Sequence, residues 1–266
     1  MRQPIVAGRF YPGSPQALSQ TLQDLFPTEK QEKTAARGVV SPHAGYVFSG
    51  GVAAKTLSMI DIPETVLVIG PNHHGRGAAV ALSGEDWNMV TGIVPNASGL
   101  TAALNSHCDL IQTDELAHRD EHSLEVQLPF LQALQKNLTF SAMVVSRLSY
   151  QQCTEVGEAI ARAITEYGKK VLIVASSDMN HYESRSVSRK KDQKALDAIM
   201  ALDSEELYRT VFANSISMCG VIPVVITMVA TRILGTDRAT LVEYTDSGAV
   251  SGDTDQVVGY AGIIMH

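Results

Sequence analysis

Six apolar runs of strand length, at Gly38–Ser41, Thr65–Gly70, Phe140–Val145, Val171–Ala175, Ala239–Tyr244 and Val257–Met265, punctuate this chain of 266 residues. Several are apolar almost throughout rather than every second residue, as expected of strands covered on both faces. Between them lie stretches with helical period. Ser14-Pro15 supplies an N-cap and a proline at the first helical position ahead of Leu18, Leu22, Leu25 and Phe26. Further helical patterns run over Ser123–Leu134, Gln151–Tyr167, Ser186–Met200, Ser204–Phe212 and Met218–Leu234. Strands alternating with helices predict an α/β fold, with a mostly parallel or mixed sheet and helices on both faces. No repeat, low-complexity tract or linker interrupts the pattern, so residues 1–266 are read as one domain.

Charge and cysteine usage narrow the function classes. A formal net charge of −7 argues against nucleic acid, whose binding needs a basic face. Cys108, Cys153 and Cys219 are far apart and form no CxxC pair, so neither a zinc knuckle nor a disulfide framework is indicated. The N-terminal MRQPIVAGRFYPG lacks the apolar core of a signal peptide. The most apolar segment, Met218–Leu234, contains Pro223 and Arg232 and reads as a buried helix rather than a membrane span. These features together predict a cytoplasmic protein without membrane or nucleic-acid partners.

The strand exits carry the chemistry. LVIGPNHHG delivers His73 and His74, GVVSPHAGYVFSGG delivers His43, and VLIVASSDMNHY delivers Asp178 and His181. Residues at the carboxyl ends of strands in an α/β sheet face the crevice where ligands bind. Two familiar alternatives fail. Gly45 and Gly50 are followed by Gly51-Val52 where a phosphate loop needs Lys and Ser/Thr, and Arg119 stands between His118 and His122 where a zinc-protease helix needs glutamate. In DEHSLEVQLPF, Ser123 can cap a helix starting near Leu124, with His122 and Glu125 on one face of its first turn. Cys219, in SISMCGVIP, falls at the start of the apolar helix, where the dipole favours a thiolate. Two neutral imidazoles with one anionic donor leave positions open on a transition metal for oxygen and substrate.

AGRFYPG, SPHAGYVFSG, GPNHHG, DEHSLEVQLPF, SSDMNHY and SMCG follow one another in the order seen in the Memo family, named for a mediator of cell motility. The resemblance spans essentially the whole chain. It implies a fold similar to class III extradiol ring-cleavage dioxygenases, which hold non-haem iron with two histidines and a glutamate. By the same resemblance the metal ligands are His43, His73 and Cys219, and His122, Asp178 and His181 line the same pocket as proton donors, acceptors or orienting groups. Cysteine takes the place of the dioxygenase glutamate, and a softer thiolate shifts preference toward copper or thiolate-ligated iron. The implied activity is that of a metal-dependent oxidoreductase using iron or copper on a small aromatic or a modified peptide side chain. The rival reading is a metal-containing pocket that binds peptides, as in phosphotyrosine recognition, or assists a radical-SAM modification system. His118 lies outside the family motifs and is expected at the surface, and His74 is expected to face away from the crevice.

Overall fold

The computed structural model describes residues 1–29 and 31–266. Its eleven strands among these residues are β1 (Gly38–Ser41), β2 (Thr65–Pro71), β3 (Val80–Ser83), β4 (Trp87–Met89), β5 (Gly92–Val94), β6 (Ile111–Thr113), β7 (Thr139–Val145), β8 (Val171–Ser176), β9 (His181–Glu183), β10 (Ala239–Asp246) and β11 (Val257–Met265). Nine form one sheet in the order β10-β11-β1-β8-β2-β7-β3-β6, with β9 added on β11, while β4 and β5 form a separate hairpin. The centre, β1-β8-β2-β7, is parallel. Antiparallel pairs flank it, β1 with β11 on one side and β7 with β3 on the other. The sheet is therefore mixed, with a parallel heart.

Successive side chains of the central strands point to opposite faces, and both faces are buried. Val39, Val66, Val68, Ala142, Leu172 and Val174 pack with helices Pro15–Leu25, Tyr46–Ser58 and Leu128–Leu134. Val40, Leu67, Ile69, Met143, Ile173 and Ala175 face the other way, toward helices Ser98–Ser106, Tyr150–Tyr167, Arg185–Met200, Ser204–Ala213 and Val221–Ile233. Burying each such Val, Leu or Ile is worth about 1.5–3 kcal/mol against leaving it in water. Double coverage explains why these strands lack alternation in sequence. The apolar helix is packed inside this second layer, and no helix among the described residues is long and apolar enough to cross a membrane.

Three local expectations change. The helix expected from Met218 begins at Val221, with Gly220 as its N-cap, so Cys219 lies in the turn ahead of it. Ser123 caps no helix; a 3₁₀ turn, Glu125–Gln127, precedes the helix at Leu128. That turn sends Glu125 away from His122. Its buried carboxylate accepts hydrogen bonds from Arg2, Tyr11 and the backbone amides of Ile5 and Val6, fastening the N-terminal segment to the domain.

Candidate functional site

β1, β8 and β2 end level with one another, Ser41 opposite Ser176 and Ile69 opposite Ala175. The chain continuing from these three exits brings His43, Asp178 and His73 to a common edge. There they line a crevice of about 620 Å³, whose walls also include His122, His181 and Cys219. All six residues singled out in the sequence thus meet in one place. His74 is exposed and lies outside this crevice, on a neighbouring basin with Arg9 and Arg76.

Hydrogen bonds decide what each imidazole offers. The single proton of Ser176 Oγ goes to the carbonyl of Ser123 at 2.7 Å, and Gln127 Nε2 donates to the same hydroxyl at 2.9 Å. His43 Nδ1, 3.0 Å away, must then be a donor to Ser176 Oγ. Its proton sits on Nδ1 and a lone pair remains on Nε2. His43 is 2% exposed, and burial, reinforced by the neighbouring His73, lowers its pKa to about 3. The ring is neutral at physiological pH.

His73 is set in the same way by a residue the sequence reading missed. Glu121 Oε1 lies 2.9 Å from His73 Nδ1 and also accepts from the Ser123 amide at 2.9 Å, while Oε2 accepts from the His73 amide at 2.8 Å. Burial opposes the charge on Glu121, but these hydrogen bonds hold its carboxyl well below the usual carboxylate range. A carboxylate can only accept, so His73 donates from Nδ1, and the neutral ring carries its lone pair on Nε2. A carboxylate holding the far nitrogen of a ligating histidine is a common outer arrangement of metal sites.

His122 comes from the segment after Glu121. Its ring stacks on His73 at 4.7 Å and 19°, and stands edge-on to His43 at 5.5 Å and 85°. Burial and the adjacent His43 lower its pKa to about 4. This placement depends on Gly70. A Cβ there would come within 2.4 Å of Leu124 Cδ1 and 2.5 Å of Ser123 Oγ, so only glycine lets the segment cross the end of β2. One ligand nitrogen from each of His43, His73 and His122 lies within 4.8 Å of the others. Three imidazoles, two of them with Nδ1 committed to a hydrogen-bond acceptor, form a donor group fit to hold a metal ion.

A family model described as Memo-like protein matches residues 2–264 of this chain. The chain belongs to the Memo family. Among its relatives, a MEMO1 family protein of Methanosarcina barkeri is 38% identical over 266 residues, covering 100% of both chains. One from Methanopyrus kandleri is 40% identical, covering 99% of this chain and 98% of its own. Another from Aquifex aeolicus is 37% identical, covering 100% and 99% respectively.

In this Memo-family site Cys219 Sγ lies 3.2 Å from His43 Nε2 and accepts a hydrogen bond from the Asp178 amide at 3.3 Å. Gly220 allows that approach, since a Cβ there would come within 2.4 Å of the Ser176 carbonyl oxygen and of Ser177 Cβ. Burial, with the Asp178 carboxyl beside it, pushes the Cys219 thiol up. Asp178 is buried too, and burial raises its pKa. No helix follows the Asp178 strand directly; Asp178 Oδ1 instead accepts from the His43 amide at 2.7 Å, bracing the β1 exit against the β8 exit. His181 donates from its amide to Ser217 Oγ at 2.7 Å and from Nδ1 to the Ser217 carbonyl at 2.8 Å, so its Nε2 also keeps a lone pair. His118 is not a surface residue. It is 1% exposed, with Nε2 donating to the Ala81 carbonyl at 3.1 Å and its ring edge-on to Trp87. Its role is in packing the β4 side of the domain.

Proposed function

We propose that this Memo-family chain is a metal-dependent oxidoreductase holding a single iron or copper ion with His43, His73 and Cys219, His122 standing close enough to complete the set. The observation that carries the reading is the pair of imidazoles whose Nδ1 protons are committed to Ser176 and Glu121, leaving both Nε2 lone pairs beside His122. Iron or copper, when bound, supplies one-electron and dioxygen chemistry that side chains lack. A thiolate among the donors favours copper or thiolate-ligated iron. The resemblance to ring-cleaving dioxygenases supports a small aromatic, or a modified peptide side chain, as substrate.

Around that centre the chain's own residues handle protons. Asp178, whose buried carboxyl favours the protonated form, and His181, whose Nε2 lone pair is available, line the same crevice. They suit a donor and an acceptor respectively. The test is elemental analysis of protein purified without added metal, followed by anaerobic reconstitution and an oxygen-uptake screen. Steady uptake with a phenolic substrate is the expected result; a crevice that binds no iron or copper overturns the reading.

A second reading, recognition without turnover, is favoured by one observation. The fold places Arg9, His74 and Arg76 around a basin of about 430 Å³ that shares Phe10 and His122 with the crevice. Arg9 and Arg76, distant in sequence, thereby meet where an acidic peptide group can compete with Asp120, the present partner of Arg76. Tight peptide binding with no oxygen uptake selects this reading.

A further inference from the structure

Tyr182, the middle residue of β9, has φ +59°. Glycine occupies that region freely, and a bulky side chain does so only under constraint. The constraint is visible on both sides. His181 is held by Ser217 through its amide and its ring, and Glu183 is held by Lys191 Nζ at 2.8 Å and Asn180 Nδ2 at 2.7 Å. His181 pairs with Val258 and Glu183 with the adjacent Val257, so Tyr182 is the extra residue of a β-bulge. Bulges beside binding sites re-aim a side chain, and this one turns Tyr182 to the crevice wall.

Flanking contacts hold the strained backbone, but the Tyr182 side chain itself gains nothing from the fold. The tyrosine is 71% exposed, its hydroxyl has no hydrogen-bond partner among the described residues, and its nearest ring is that of His181 at 5.6 Å. The stability of the free protein alone would favour glycine at this position. The rest of the crevice indicates what the ring is for. Around the histidines, Asp178 and Cys219 at its base, its walls carry Phe10, Val258 and Tyr260 and no lysine or arginine, so they offer a flat body apolar surface and an anion no fixed cation.

We propose that Tyr182 is an aromatic platform at the mouth of the crevice, and that the molecule bound there presents a planar, uncharged ring for it to stack on. This rests on the reading of the crevice as a site for a small aromatic and adds the side chain that receives the ring.

The probe is 2-naphthol, compared with its saturated, non-planar counterpart decahydro-2-naphthol, titrated into full-length protein whose metal content is measured in parallel. Tyr182→Gly and Tyr182→Ala are expected to weaken 2-naphthol about two- to tenfold, the scale of a lost aromatic pair. Tyr182→Phe should keep the parent affinity, and the saturated alcohol should bind all variants alike. Tyr182→Gly should melt no lower than the parent, because it removes the strain. Equal 2-naphthol binding by the parent and Tyr182→Gly overturns the proposal, as does an equal loss for both alcohols, which marks a merely apolar wall. A metal-loaded parent that binds neither alcohol also overturns it, while leaving the metal reading intact. Loss of metal in Tyr182→Gly would make the bulge a support for the donors rather than for the ligand.

Discussion

Replacing Glu121 by glutamine removes one charge and almost no volume, yet it should cripple the metal group. The native carboxylate accepts on both oxygens, from His73 Nδ1 and the Ser123 amide on Oε1 and from the His73 amide on Oε2. A carboxamide has one oxygen. With that oxygen at the Oε1 position, the new NH₂ faces the His73 amide and a buried donor is orphaned, at about 1–3 kcal/mol. With the amide reversed, the NH₂ meets His73 Nδ1 and drives the ring proton to Nε2, the nitrogen needed for a metal. Loss of an outer partner of this kind lowers metal affinity about 10- to 100-fold, equivalent to roughly 1.4–2.7 kcal/mol. Competition against a chromophoric chelator measures the affinity, with urea melts of the metal-free protein alongside. Glu125→Gln is the control, since it is equally buried and hydrogen-bonded but serves the N-terminal segment. It should lose stability and keep its metal affinity. Undiminished affinity in Glu121→Gln, or an equal loss in Glu125→Gln, refutes the argument that Glu121 sets the tautomer of His73.

His73→Ala should lose metal while His74→Ala keeps it, because only the first ring reaches the donor group; metal occupancy of the two purified variants checks this, and the reverse pattern identifies the wrong histidine. His181→Ala and Asp178→Asn should leave metal content nearly unchanged and lower turnover about 10²-fold or more, to be read from paired metal analysis and kinetics. Gly70→Ala should displace the His122 segment, costing about 1–3 kcal/mol of stability and weakening metal binding with it, as measured by melts and chelator competition. Burial raises the pKa of Asp192 from 3.8 to about 6, so its contribution to stability is fully present below the unfolded value and is lost as pH rises through about 6. Asp192→Asn can still accept from the Asn180 amide and donate to Tyr244 Oη, so urea melts should show it more stable than the parent at pH 7, by up to about 3 kcal/mol, with the difference vanishing near pH 4.

The long central strands were legible because burial on both faces writes a continuous apolar run, as in β2 and β8. The missed strands β3, β4, β5, β6 and β9 are three or four residues long, too short for any period to register. They are held by neighbours rather than by their own pattern, as Val80 is by Val145 and Ile111. His43, His73 and His181 were legible because each follows a strand exit, whereas His122 was legible only through the DEHS motif. Glu121 was not, although it adjoins His122 in DEHS, because its partner His73 lies elsewhere in the sequence. Its signal was indirect: Gly70 ends the run before PNHH, and a glycine there has meaning only if another segment crosses over it. Glu125 misled for a related reason. A spacing of three predicts a shared helical face, and the 3₁₀ turn rotated that face toward Arg2 and Tyr11 instead.

The placement of β1 between β8 and β11 also sets an order in time. The first strand to be synthesised is paired on one side through Val39 to Val174 and on the other to Ile264, both from the later part of the chain. Local contacts cannot hold β1 in place, and pairings this distant in sequence form slowly. His43, directly downstream of β1, therefore settles beside Cys219, 3.2 Å away, only after nearly the whole chain has been made. A nascent chain already carries His43, His73 and His122, but it does not yet own the cradle that sets their lone pairs. If the proposed metal centre forms, capture of the ion is coupled to completion of the fold, and a chain stalled before β11 should compete poorly for it.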